Sequence, residues 1–170
     1  MDEEQLEQLK AFGFVKPQNK TRYTFSEALI TLDTALKRCV GAYDASIKMA
    51  DDLMAQYVLD GSLKAFEDFT EAFKDIVTMY YAITDKKVLT SLLECIQTFK
   101  RENCCDEIGK QMLTFLYERN RLVHQYYNRE FMLYQYKETM ENYSDGLSDI
   151  CKNLYEKVKS KELLDTEITK

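Results

Sequence analysis

The sequence predicts an all-α fold, an up-and-down bundle of four to five long helices. Three observations predict it. Apolar residues recur at every third or fourth position over long stretches, the spacing that lines one face of a helix. Punctuation is sparse: one proline, Pro17, and five glycines in 170 residues. A sheet protein needs a turn about every 8–12 residues. The links between the periodic stretches are short, and helices joined by short links pack as antiparallel neighbours.

Residues 1–23 read as a flexible acidic leader and linker, with Asp2, Glu3, Glu4 and Glu7 ahead of Gly13 and Pro17. The first helix is predicted to start at Thr24, because Thr24-x-x-Glu27 has the form of a capping box. Its apolar stripe is Phe25, Leu29, Leu32, Leu36, Val40, Tyr43, Ile47, Ala50, Met54 and Tyr57, and Asp60-Gly61 is expected to stop it. Ser62 is the expected cap of a second helix, striped by Leu63, Phe66, Phe69, Phe73, Ile76 and Tyr80. Asp85-Lys86-Lys87 breaks it, and a third helix should start near Val88 and carry Leu92, Ile96 and Phe99. A fourth is expected from Asp106 to about Tyr126, and a fifth from Arg129, with Tyr136, Met140, Leu147, Ile150, Leu154 and Val158. Residues 24–160 are thus one helical-bundle domain, and 161–170 are expected to fray. Phenylalanine and tyrosine fall mostly on the stripes and read as core.

Composition narrows the function classes. Met1 is followed by three acids, not by the positive charge and apolar run of a secretory signal. No stretch approaches the roughly 18 apolar residues of a membrane span. Five cysteines, an odd number at irregular spacing, do not form a disulfide framework. The expectation is a cytoplasmic protein with reduced thiols and no membrane partner. Cys104-Cys105 reads as two small residues at a helix start, since a soft metal site needs more ligands than two. No metal or other cofactor is expected. A net charge of −6 argues against coating of duplex nucleic acid, but it leaves room for a local phosphate site.

One segment carries most of the chemistry: Arg119-Asn120-Arg121-Leu122-Val123-His124-Gln125-Tyr126. His124 is the only histidine. Between 110 and 130, Lys110, Arg119, Arg121 and Arg129 face two acids, Glu118 and Glu130, a local balance of 4 − 2 = +2 in an acidic chain. At about 100° per residue, Asn120 and His124 lie about 40° apart on one helix face, and Arg119 and Tyr126 about 20° apart. Arg119 and His124 diverge by about 140°, so they share a strip only if the helix bends or a second chain contributes. RNA cleavage is the chemistry such a face could support. RNA carries its own nucleophile, the ribose 2′-hydroxyl. A histidine near its reference pKa of about 6.5 can serve as base or acid, and arginine binds phosphate oxygens in pairs.

Arg119-Asn120-x-x-x-His124-x-Tyr126 resembles the signature of the HEPN domain superfamily, and within it the HepT-like toxins. Leu122-Val123 ahead of the histidine fits that branch, whereas the long first helix and the extra helix near 86–100 depart from it. The resemblance implies a metal-independent endoribonuclease, a toxin or defence component acting as a homodimer with its motifs facing across the interface. It implies Arg119, Asn120 and His124 as the catalytic set. Arg121, Tyr126 and Arg129 become phosphate-binding or regulatory positions, with Tyr126 the residue that a partner nucleotidyltransferase antitoxin would modify. Some members of the superfamily only bind nucleotides or partners, which keeps two alternatives in view: a non-catalytic binding protein of that type, and a helical scaffold.

Overall fold

The computed structural model describes residues 22–48, 52–103 and 129–169. Among them are four helices and one small sheet: β1 (Arg22–Thr24), α1 (Phe25–Lys48), α2 (Asp52–Thr84), α3 (Leu92–Asn103), α4 (Arg129–Ser160) and β2 (Glu167–Thr169). The described residues are mostly helical, with only this two-stranded sheet beside the helices, which is the all-α class that the spacing predicts. No helix among the described residues is long and apolar enough to cross a membrane.

The start of α1 follows its sequence signal. The Thr24 hydroxyl oxygen accepts the backbone N–H of Glu27 at 3.2 Å, satisfying one of the donors that a helix start leaves orphaned. Phe25, Ala28, Leu29, Leu32, Ala35, Leu36 and Cys39 then face inward. On α2 the buried positions run from Ala65 and Phe66 to Tyr80 and Tyr81. The two helices run antiparallel, because Tyr23 and Glu27 at the start of α1 share a groove with Asp75 of α2, and Arg38 further along shares it with Asp68. Cys95, Ile96 and Phe99 of α3 close the core over α2, with Phe73 and Phe99 edge-to-face at 5.6 Å between centroids. Leu147, Ile150, Leu154 and Val158 of α4 complete it. The expectation that the aromatic residues are core holds for Phe25, Phe66, Phe69, Phe73, Tyr80, Tyr81 and Phe99.

Three boundaries differ from expectation. The first helix ends at Lys48, and α2 passes through Asp60-Gly61-Ser62 without interruption. A glycine inside a helix costs only about 1 kcal/mol, and the buried stripe that follows outweighs it. Met54 and Tyr57, which continue the three–four spacing, are more than half exposed or close to it, at 50% and 62%. They belong to α2, so the spacing that continues the stripe of α1 does not place them on its buried face. The third helix starts at Leu92, not Val88. Lys86 takes a left-handed φ of 54°, and the Tyr81 carbonyl accepts the N–H groups of both Asp85 and Lys87 at 3.1 Å. Val88 is left exposed, and Ser91 supplies the cap by accepting the N–H of Glu94 at 3.2 Å. The Glu94 carboxylate reaches back to the N–H and hydroxyl of Thr90, at 2.7 and 2.9 Å. Those hydrogen bonds hold Glu94 below the usual carboxylate range. The expected helix from Asp106 lies outside the described residues.

The third difference lies at residues 161–169, which form a turn and a short strand beyond the last expected helix. Glu162 adopts a left-handed φ of 58°. Leu163 N–H donates to the Val158 carbonyl at 3.1 Å and Glu162 N–H to the Lys159 carbonyl at 3.0 Å, which is the Schellman arrangement. The chain then turns back along α1. Phe25 and Ser26 donate their N–H groups to the carbonyls of Thr166 and Leu164, at 3.0 and 2.9 Å. Residues 167–169 pair antiparallel with 22–24, in the register Arg22↔Thr169, Tyr23↔Ile168 and Thr24↔Glu167. Ile168 is buried. Leu164 and Thr166 thus cap the start of α1, and the buried Ile168 side chain secures the segment.

Candidate functional site

Of the six residues singled out in the sequence, Arg119, Asn120, Arg121, His124 and Tyr126 lie outside the described residues. Arg129 is the first residue of α4. In the sequence the motif falls between the described residues of α3, which run to Asn103, and those of α4, which run from Arg129. The C-terminal turn of α3 is tied down. Glu102 pairs with Lys157 of α4 at 3.2 Å, and the Lys157 ammonium sits 5.6 Å from the centre of the Tyr80 ring. Tyr81 is buried beside them, and its phenol is raised by burial and by the nearby Glu102 carboxylate.

A groove of about 540 Å³ lies between α1 and α2. Its floor is open because the facing side chains are small: Ala28, Ala35 and Ala72 pack where larger residues would fill the crease. Its walls carry four carboxylates, Glu27, Asp68, Glu71 and Asp75, against one guanidinium, Arg38, a balance of 1 − 4 = −3. Asp68 is held by Lys64 at 3.2 Å. Tyr23 closes one end by donating its hydroxyl to Asp75. Burial, the hydrogen bond to Asp75 and the surrounding acids all raise the Tyr23 phenol above its ordinary value. The three–four spacing of Asp68, Glu71 and Asp75 was a readable signal for one acidic helix face. The small residues that open the floor only acquire meaning once α1 faces α2.

A second crease, about 330 Å³ and mostly apolar, runs between α1 and α4 and is lined by Leu29, Ile30, Cys151, Tyr155 and Leu164. Burial pushes the Cys151 thiol up to about 12 and also raises Cys95, whose sulfur lies 3.4 Å from the Thr78 hydroxyl. A thiol needs its thiolate form to act as nucleophile or metal ligand, so both read as packing residues. Cys104 and Cys105 lie outside the described residues. No group of three or more metal-ligating side chains occurs among the described residues.

The class that these observations define is a helical bundle whose C-terminal strand clasps the start of its first helix. No protein-family model, curated protein or solved structure matches the chain.

Proposed function

We propose that this chain is a HEPN-like, metal-independent endoribonuclease, the toxin or defence member of a pair with a nucleotidyltransferase. The single observation that carries the reading is the motif Arg119-Asn120-x-x-x-His124-x-Tyr126, locally basic in an acidic chain whose described residues are mostly helical. In this reading His124 takes the proton of the ribose 2′-hydroxyl, whose oxygen attacks the adjacent phosphorus. The bond to the 5′-oxygen of the next nucleotide breaks, and that oxygen takes up a proton from the histidine or water. The products are a 2′,3′-cyclic phosphate and a free 5′-hydroxyl. Arg119 offers paired donors to the phosphorane oxygens, and Asn120 positions the phosphate. Arg121 and Arg129 add positive charge for the RNA backbone. Tyr126 is the regulatory position, where a nucleotidyl group would place a phosphate beside Arg119 and block RNA by charge and bulk. Two chains face each other, which brings Arg119 of one within reach of the histidine of the other.

The test is incubation of wild type and His124→Ala with total RNA in the presence of EDTA. Cleavage by wild type, cyclic-phosphate ends and loss of both in His124→Ala are expected. Resistance of DNA and of 2′-O-methylated RNA should accompany them. Activity that needs added magnesium, or full activity of His124→Ala, would sink the mechanism. Absence of cleavage on every RNA would leave the motif a nucleotide- or partner-binding element.

A further inference from the structure

We propose that the acidic groove between α1 and α2 is the docking site for residues 10–21 of the same chain. This docking needs no residue of the motif at 119–126 and is independent of any ribonuclease activity. The groove has an open apolar floor, its lining carries four carboxylates and one guanidinium with Lys64 paired to Asp68 at its edge, and Ile30 on its wall is 64% exposed. A surface of that kind calls for a basic segment with apolar side chains. Residues 10–21 are such a segment: Lys10, Lys16 and Lys20 with no acid among them, and Phe12, Phe14 and Val15 between the first two lysines. The described chain begins at Arg22, and the next residue, Tyr23, closes one end of the groove.

The lengths agree. From Glu27 to Arg38 the groove follows α1 for eleven residues, which at about 1.5 Å each is roughly 16 Å. Twelve residues can span up to about 40 Å, enough to turn near Pro17 and run the whole groove. The effective concentration of a segment tethered at the groove's end is high, so weak contacts suffice. Charge alone would be screened at high salt, and the two phenylalanines supply the part that is not.

The experiment is zero-length carbodiimide cross-linking of the full chain at low concentration, on an equal mixture of ¹⁴N- and ¹⁵N-labelled protein. The far-end links are the informative ones, because Lys20 is close to Tyr23 by tethering alone. Links from Lys10 or Lys16 to Asp68 or Glu71, within chains of one isotope, are expected. Their yield should drop several-fold at about 1 M salt, where the screening length falls to about 3 Å. It should also drop several-fold in Phe12→Ala/Phe14→Ala, a variant whose reactive groups are untouched and whose folding circular dichroism checks. Absence of far-end links, or links only between isotopes, overturns the proposal. So do yields unchanged by salt and by the double substitution, which would mean tethering without docking.

Discussion

At the scale of single residues, the proposed chemistry separates the roles of neighbouring side chains. Arg119→Ala should lower the cleavage rate by about 10²–10³-fold, the cost typical of losing one well-placed donor to a transition-state charge. Arg119→Lys should recover only part of that, because an ammonium does not offer two parallel donors. Asn120→Ala should cost less than either. Single-turnover rates on one short RNA read all three, and equal losses for Arg119→Lys and Arg119→Ala would count against paired contacts. Tyr23 gives a prediction in the described part of the molecule. Its phenol is raised in the folded chain, so the folded state holds that proton more tightly than the unfolded one. The stability this confers is fully present below about pH 10, the unfolded value, and is lost as pH rises through the folded value. Tyr23→Phe should therefore flatten the alkaline limb of a plot of urea midpoint against pH. An unchanged slope between pH 9 and 11 would remove Tyr23 as its source.

At the scale of elements, two backbone positions test the architecture. Gly61 lies inside α2, and a Cβ built there meets nothing within 4 Å. Gly61→Ala should stabilise the protein by up to about 1 kcal/mol, through helix propensity and a less disordered unfolded chain. A helix break at Asp60-Gly61 would predict the opposite sign, so one thermal melt decides between the two. Glu162 holds a left-handed conformation at the end of α4. Glu162→Gly should stabilise by about 0.5–1 kcal/mol, since glycine meets no Cβ penalty there. A loss of stability would mean that the Glu162 side chain contributes more than its backbone strain costs. The two glycine arguments run in opposite directions for the same reason, the sign of φ. That sign is not written in the sequence, where Asp60-Gly61 carries the stronger stop signal and Lys161-Glu162 carries almost none.

At the scale of the whole molecule, the proposed site needs two chains. Light scattering at micromolar concentration should give the mass of a dimer. Mixing Arg119→Ala with His124→Ala, each inactive alone, should restore part of the RNA cleavage if the motifs face each other across a two-fold axis. Monomer at all concentrations, or no restoration, would place each site within one chain. The net charge and the acidic groove also bear on partners. If RNA binds at the motif of this acidic chain, only a few phosphates are contacted, so binding should weaken with salt by a shallow slope.

The sequence by itself determined the helical class and most of the large apolar residues of the described core. Helical period and burial are the same pattern read twice, and Phe25, Leu32, Phe66, Phe69, Phe73, Leu154 and Val158 are all buried where the spacing puts them. It also determined the Thr24 start and the break after Thr84, because caps and breaks act through neighbours a few positions away. The motif at 119–126 is legible only as sequence, since it lies outside the described residues. The tertiary structure decided what depends on residues far apart in the chain. The division between α1 and α2 does not follow the strongest local stop signal, because a long buried face on α2 outweighs one glycine. The clasp of residues 161–169 has no local signal at all. It exists because the first helix leaves N–H groups at Phe25 and Ser26 that the carbonyls of Thr166 and Leu164 satisfy, and because Ile168 finds an apolar site against α2. The groove likewise arises only when alanines from two helices meet, which no window of a few residues contains.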